Sequence, residues 1–342
     1  MVMQRSIGAG LSAGPGSKQS TSAAEYVLTK FGLIIVWAVM AIIFGFLSPS
    51  EFVSVATLKT VFGSQEPLVF LALPLVLTFT VGEFDLSVAG TLGLAASVVT
   101  VLAVNDGVNV VVAAALAVAV GAVIGFVNAV LIVKVGVDAI ITTLGMSTLL
   151  LGLSSEVTGG APVSGLSARF ADISNITFLG LPITFFYGVG LALLIAYILA
   201  VTPLGRHMSF VGLNREVSRL AGINVTRIRF GVYVTSGVVC AIGGVLLAAS
   251  VGGFDPSTST QYLLPAFAAV ALGTVVILPG RFNPIGTLVA IYFLVTGIVG
   301  LQILGFTSWI SDVFYGAALI VAVTLSHAVR IVANRGLRLK GP

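Results

Sequence analysis

The sequence predicts an all-α, polytopic membrane protein of about ten transmembrane helices, and three observations carry that class. Of 342 residues, 58% are hydrophobic and only 8% are charged, whereas a water-soluble surface needs about a quarter of the chain charged. Mean hydropathy is +1.15, and the apolar runs are continuous rather than alternating, which disfavours a strand barrel. The 40 glycines and small-residue runs such as Ala113 to Ala119 suit helices whose backbones approach closely in lipid. Most of the exterior must therefore face membrane lipid, and this composition excludes soluble enzymes and nucleic-acid binders.

Residues 1–30 are rich in Ser, Gly and Ala, carry Arg5, Lys18 and Lys30, and have no apolar core ending at a small-residue cleavage site. They read as a cytoplasmic N-terminal tail rather than a secretory signal. A span takes about 20 apolar residues, fewer inside a bundle, and that rule marks segments near 31–47, 67–82, 87–104, 109–133, 138–155, 182–201, 229–250, 263–278, 285–304 and 311–332. The stretches 67–104 and 263–304 each read either as one bent span or as two short ones, and the parity of the count hangs on them. Residues 31–332 are then one transmembrane domain with a long cytoplasmic segment at 202–228, and residues 333–342 form a second cytoplasmic tail.

Charge orients the bundle. With ten spans and the N-terminus inside, the inner segments hold Arg5, Lys18, Lys30, Lys134, Arg206, Arg215, Arg219, Arg227, Arg281, Arg330, Arg335, Arg338 and Lys340, with Arg229 at an edge; Lys59 and Arg169 fall outside. The acids Glu51, Glu66, Asp106, Glu156, Asp172, Asp255 and Asp312 lie at or near outer segments. This asymmetry is the positive-inside pattern, and it places both termini in the cytoplasm. The net charge of +4 reads as topology rather than as attraction for an anionic partner.

No constellation looks catalytic or metal-binding. His207 and His327 fall near cytoplasmic helix ends, where basic residues anchor at the interface. Ser147 has neither an elbow nor a paired histidine, and Cys240, the single cysteine, lies in an apolar run and excludes an intramolecular disulfide or a cysteine cluster.

The inner segment from Gly212 to Ile223 is more informative, because it reads as a two-turn amphipathic helix with both caps. Asn214 suits the N-cap and Gly222 the left-handed position after the last turn. Leu213, Val217 and Leu220 share one face, while Arg215, Ser218 and Arg219 present polar groups on another. Two turns do not persist alone in water, so the helix must rest on something: its own bundle, lipid headgroups or a partner.

Asp85 is the charge hardest to place, since an acid at the centre of a span costs about 2.5–3.5 kcal/mol on insertion scales. Two readings of the Glu83/Asp85 turn stand. Either the acids line or gate a polar pathway together with Ser87, or Asp85 caps a helix starting at Leu86. The polar residues Thr78, Thr80, Asn128, Thr142 and Thr143 within apolar spans either line that pathway or bond a neighbouring helix. The triplets Gly90-Thr91-Leu92 and Gly286-Thr287-Leu288 each open a helix after a short span, too little to make a repeat.

Three stretches in order carry a resemblance. Gly212-x-Asn214-x4-Arg219-x-Ala221-Gly222-Ile223-Asn224, Val81-Gly82-Glu83-Phe84-Asp85-Leu86-Ser87-Val88 and Thr143-Leu144-Gly145-Met146 resemble the signatures of ribose-type ABC importer permeases, the monosaccharide class of binding-protein-dependent transporters. The resemblance covers roughly residues 30–330. It implies a type II ABC importer-like permease bundle, paired with a second copy or a paralogue, that receives a sugar or polyol from an external binding protein in a bacterial inner membrane. It also implies that Gly212, Asn214, Glu216, Arg219, Ala221, Gly222 and Ile223 form the coupling helix, which enters a groove of a cytoplasmic ABC ATPase. This chain has no Gly-x4-Gly-Lys-[Ser/Thr] sequence, so ATP and Mg belong to that partner and no cofactor is expected here. The sequence departs from the family at Leu272-Gly273-Thr274, at Pro279 to Pro284, at Glu83 and at Ala89. A stand-alone secondary carrier with its own coupling ion is the competing reading, with Glu83, Asp85 and the break at 279–284 as its midplane features; an intramembrane enzyme lacks a plausible dyad.

Overall fold

The computed structural model describes residues 23–338, with side chains from residue 30 to residue 324. The tail up to residue 22, the last four residues and the side chains of His327, Arg330, Arg335 and Arg338, on which part of the charge argument rests, lie outside the described residues.

Helix α1 (Ala23–Leu47) leads through two short turns, α2 (Pro49–Phe52) and α3 (Val55–Gly63), into α4 (Glu66–Thr80). After a turn at 81–87 come α5 (Val88–Val104), α6 (Val110–Ala129) with a π-helical extension at Val130–Val135, and α7 (Ala139–Thr158). A loop carries strand β1 (Val163–Ser164), α8 (Ala168–Asn175) and the hairpin of β2 (Thr177–Phe178) and β3 (Leu181–Pro182). Then follow α9 (Ile183–Val201), α10 (Pro203–Leu213), α11 (Arg215–Leu220) and the long α12 (Val225–Val251). Strand β4 (Gly253–Phe254), antiparallel to β1, a 3-10 turn at Ser259–Tyr262, α13 (Leu263–Gly273), α14 (Pro284–Ile303) and α15 (Trp309–Arg338) complete the described chain.

The class is the expected helical membrane bundle, and a helix covers most of each apolar segment. Helix length does not confirm the expected count of ten. Among the described residues seven stretches are long and apolar enough to cross a membrane: 30–47, 55–80, 110–135, 139–158, 183–201, 225–251 and 284–303. Helix α13 rises only about 16 Å at ~1.5 Å per residue, against a hydrocarbon core of about 30 Å. Helix α5 and the described apolar part of α15, 309–324, are also shorter than a full span. The ambiguous stretches 67–104 and 263–304 each resolve into two helices joined by a turn.

The bundle has an inside and an outside. Helices α4, α5, α12 and α14 are mostly buried, whereas α1, α6, α7 and α9 carry broad exposed apolar faces such as Ile42, Val123, Leu144 and Leu194. Small residues make the inner contacts: a Cβ at Gly237 of α12 would overlap the carbonyl oxygen of Gly121 on α6 and would stand 3.0 Å from the amide of Gly125. Only glycine permits that approach, which is the close packing the glycine content implied. Asn283 organises the start of α14, accepting from the amide of Gly286 at 2.5 Å while its amide group donates to the carbonyls of Gly273 (3.0 Å) and Val276 (3.1 Å).

Candidate functional site

The site forms where the turn after α4 meets the end of α10, all of α11 and the first half of α12. Helix α4 closes at Thr80, and Gly82, at φ +73°, turns the chain back. Gly212 lies against this turn: a Cβ there would overlap the carbonyl oxygen of Thr80, so the end of α10 can sit on the end of α4 only as glycine.

Helix α11 is built as its caps dictate. The Asn214 side chain accepts from the amides of Glu216 (3.0 Å) and Val217 (3.1 Å), a cap worth about 1 kcal/mol against alanine. The helix ends at Ala221, and Gly222 follows at φ +79° with open space around it. Its exposed face is apolar. Leu213, Val217 and Leu220 are 82%, 60% and 89% exposed, so the helix does not rest on its own bundle through that face. Glu216 and Arg219 pair with each other at 3.3 Å on the exposed side, Ala221 is exposed and Ile223 half-buried. Beside the end of α11 an open crevice of about 370 Å³ is lined by Leu204, His207, Gly222 and Arg227 among others.

Arg215 points the other way. Its Nη2 donates to Glu83 Oε1 at 2.7 Å and to the carbonyl of Gly82 at 2.9 Å. Glu83 is 3% exposed and is gripped from α12 as well: Arg229 Nε donates to the same oxygen, and the Tyr233 hydroxyl lies 3.1 Å from both Oε2 and the Phe84 carbonyl, either of which can take its proton. A buried carboxylate persists as an ion only with such partners.

Asp85 continues the network. Its Oδ1 accepts from the Ser87 amide at 3.0 Å and the Ser87 hydroxyl at 2.6 Å, and its Oδ2 accepts from Ser236 of α12 at 2.8 Å. Burial raises this carboxyl above its ordinary value, and the bonds from Ser87 and Ser236 lower it part of the way back. The helix beyond starts at Val88 rather than Leu86, so Asp85 closes the turn ahead of the helix and ties it to α12. Ser87 in turn accepts from Asn128 Nδ2 of α6 at 2.8 Å, and Asn128 Oδ1 is buried without a hydrogen-bond partner among the described residues.

The structure thus gathers Glu83, Asp85, Ser87 and Asn128 into one polar site on the 81–87 turn, as two hydrogen-bonded clusters, one about Glu83 and one about Asp85. Thr142 and Thr143 take no part in it: their hydroxyls donate to the carbonyls of Asp138 (2.8 Å) and Ala139 (2.7 Å), one turn earlier in the chain. Thr78 and Thr80 likewise bond the carbonyls of Leu75 and Val76 in their own helix. Four members escaped the sequence reading: Arg215 and Arg229, noted only as charges, and Tyr233 and Ser236. The signal was present, because Arg229, Tyr233 and Ser236 fall four and three residues apart and so make a polar stripe on one face of an apolar helix. Among the described residues no group of three or more His, Cys, Asp or Glu side chains could hold a metal ion.

Comparison with known proteins follows this geometry. Residues 57–323 match the family model described as branched-chain amino acid transport system / permease component. The chain is 31% identical over 305 residues, 88% of each chain, to the autoinducer 2 import system permease protein LsrC of Salmonella paratyphi B. It is 32% identical over 289 residues to LsrC of Salmonella typhi, covering 84% of this chain and 83% of that one. It is 34% identical over 258 residues, 74% of this chain and 77% of the other, to the autoinducer 2 import system permease protein LsrD of Yersinia pestis. No solved structure matches it significantly. With four-fifths of its length inside one family model, with relatives matched nearly end to end and with the three motifs at 81–88, 143–146 and 212–224 in their expected order, this chain belongs to the permease family of ABC importers, in its ribose-type group.

Proposed function

We propose that the chain is the membrane-spanning subunit of an ATP-driven, binding-protein-dependent importer for a small sugar-like solute, and that the outward side of the 212–223 segment, from which Arg215 is turned away, docks on a separate cytoplasmic ABC ATPase. The observation that carries the docking is the outward apolar face of α11. Two large aliphatic side chains of this short helix, Val217 and Leu220, and Leu213 at the end of α10 stand clear of the bundle while Arg215 reaches inward and anchors the helix, as a helix built to be covered by something else requires. Relatives named for autoinducer 2 import favour autoinducer 2 or a compound like it as substrate. That two differently named permeases, LsrC and LsrD, both resemble the chain supports a permease pair made of two copies or two paralogues, with the pathway between them and an external sugar-binding protein above it. The ribose-type group membership supports a bacterial inner membrane as the subunit's home, and on this reading ATP and Mg are bound by the ATPase.

The test is biochemical. Gly222→Val forces a β-branched residue into the left-handed region, at a cost of about 1–2 kcal/mol, and distorts the end of α11. Arg219→Glu leaves the backbone alone and reverses an exposed charge. Both variants are expected to insert as the parent does and to lose most ATPase co-purification and stimulated hydrolysis, since breaking charged interface contacts costs about 2–5 kcal/mol. Normal ATPase binding and ATP-dependent uptake of autoinducer 2 by both variants would refute the docking. Uptake by the permease alone, driven by an ion gradient, would establish the carrier instead.

A further inference from the structure

We propose that the Arg215–Glu83 contact is the joint through which movement of the 214–222 segment reaches the turn between α4 and α5, which makes Arg215 a positioning residue for transport. This rests on the docking reading above. Three observations carry it. Among the described residues, Arg215 is the only side chain of the segment Arg215–Gly222 that hydrogen-bonds the α4–α5 turn, and it does so twice, to Glu83 Oε1 and the Gly82 carbonyl. The turn it grips carries two polar clusters, Glu83 with Arg229 and Tyr233 of α12, and Asp85 with Ser236 of α12 and, through Ser87, Asn128 of α6. A short turn held by side chains of two helices passes a displacement to its bonded neighbours.

The third observation is the asymmetry of the pair. Glu83 is buried, whereas the Arg215 side chain is 41% exposed. Glu83 also keeps Arg229 and Tyr233 whatever Arg215 does. Breaking the Arg215 contact therefore strands no buried charge, and the guanidinium that leaves has water to go to. A contact that must form and break during a cycle needs this arrangement, since a buried pair whose only partner departs would pay a prohibitive desolvation cost.

The experiment uses the assembled complex of permease, ATPase and binding protein in a Cys240→Ala background, with spin labels introduced by Phe84→Cys on the turn and Ile42→Cys on the exposed face of α1, which shares no bond with the turn among the described residues. In the parent, trapping the ATPase with ATP and vanadate is expected to shift the distance between the labels. In Arg215→Ala the ATPase is expected to co-purify at the parent's ratio and hydrolyse ATP at the basal rate, while the shift disappears. Uptake of autoinducer 2 per ATP is expected to fall roughly tenfold, within the range that coupling between separate sites commonly spans. Arg215→Lys should restore part of both. A shift that persists in Arg215→Ala, or that is absent from the parent, overturns the joint. Loss of the ATPase from Arg215→Ala also overturns it, because Arg215 would then be a docking contact, and the docking reading would survive. Retention of the ATPase by Gly222→Val and Arg219→Glu as well would instead sink the docking reading itself. Should Arg215→Ala fail to accumulate, Arg215→Gln takes its place; failure of both would make Arg215 a folding residue and end the proposal.

Discussion

Asp85 holds three hydrogen bonds with two oxygens, and what it needs is acceptors more than charge. Asparagine keeps Oδ1 for the Ser87 amide and hydroxyl, and its amide group can donate to Ser236, whose hydroxyl then turns to accept. Asp85→Asn is therefore expected to melt in detergent and transport substrate much as the parent does, while Asp85→Ala leaves buried donors unpaired and loses about 1–3 kcal/mol. An asparagine variant that folds normally and fails to transport would show that the negative charge itself is used. At this scale the sequence was legible where the interaction is local: Asn214 and Gly222 announce the ends of α11 because caps act within one turn. The partners of Glu83 were not legible, since Arg215 and Arg229 lie 132 and 146 residues away and nothing in a local pattern couples such distant charges.

Helices α6 and α12 meet backbone to backbone, and the polar site depends on that closeness because Asn128 of α6 and Ser236 of α12 must both reach the 81–87 turn, at Ser87 and Asp85. Gly237→Leu would push α12 off the carbonyl of Gly121 and is expected to lower stability by about 1–3 kcal/mol or more, measured as a fall in the detergent melting temperature with weakened uptake. Gly231→Ala on the same helix meets no atom within 4 Å and serves as the silent control; equal effects of the two would discredit the packing argument. Elements were readable from hydrophobicity as far as hydrophobicity goes. It marks apolar segments but not how deep each is buried, so α13, half the length of a span, was indistinguishable from a crossing helix. The Gly-Thr-Leu triplets gain meaning only in three dimensions: Thr91 and Thr287 each donate back to the carbonyl four residues earlier, Ser87 at 2.9 Å and Asn283 at 3.0 Å, at the first turn of a buried helix.

For the molecule as a whole, sidedness is the property on which everything else depends. The segment 202–228 and the turn at 81–87 lie at one end of the bundle, and the basic residues crowd there, so both termini are expected on the same side as α11. Cysteines placed singly by Ser17→Cys and Gly336→Cys in a Cys240→Ala background should resist an impermeant thiol reagent in intact cells, whereas Ser164→Cys in the β1 loop should label. Labelling at either terminus would reverse or re-count the spans, a live issue given how many helices fall short of full length. The face formed by Leu213, Val217 and Leu220 adds a consequence for the cell. A copy of this subunit made in excess of whatever covers that face displays an adhesive patch at the membrane surface, open to chaperones, proteases and its own neighbours. On the docking proposed above, balanced synthesis of the importer's parts would be written into this short face, and dosage would become a structural requirement.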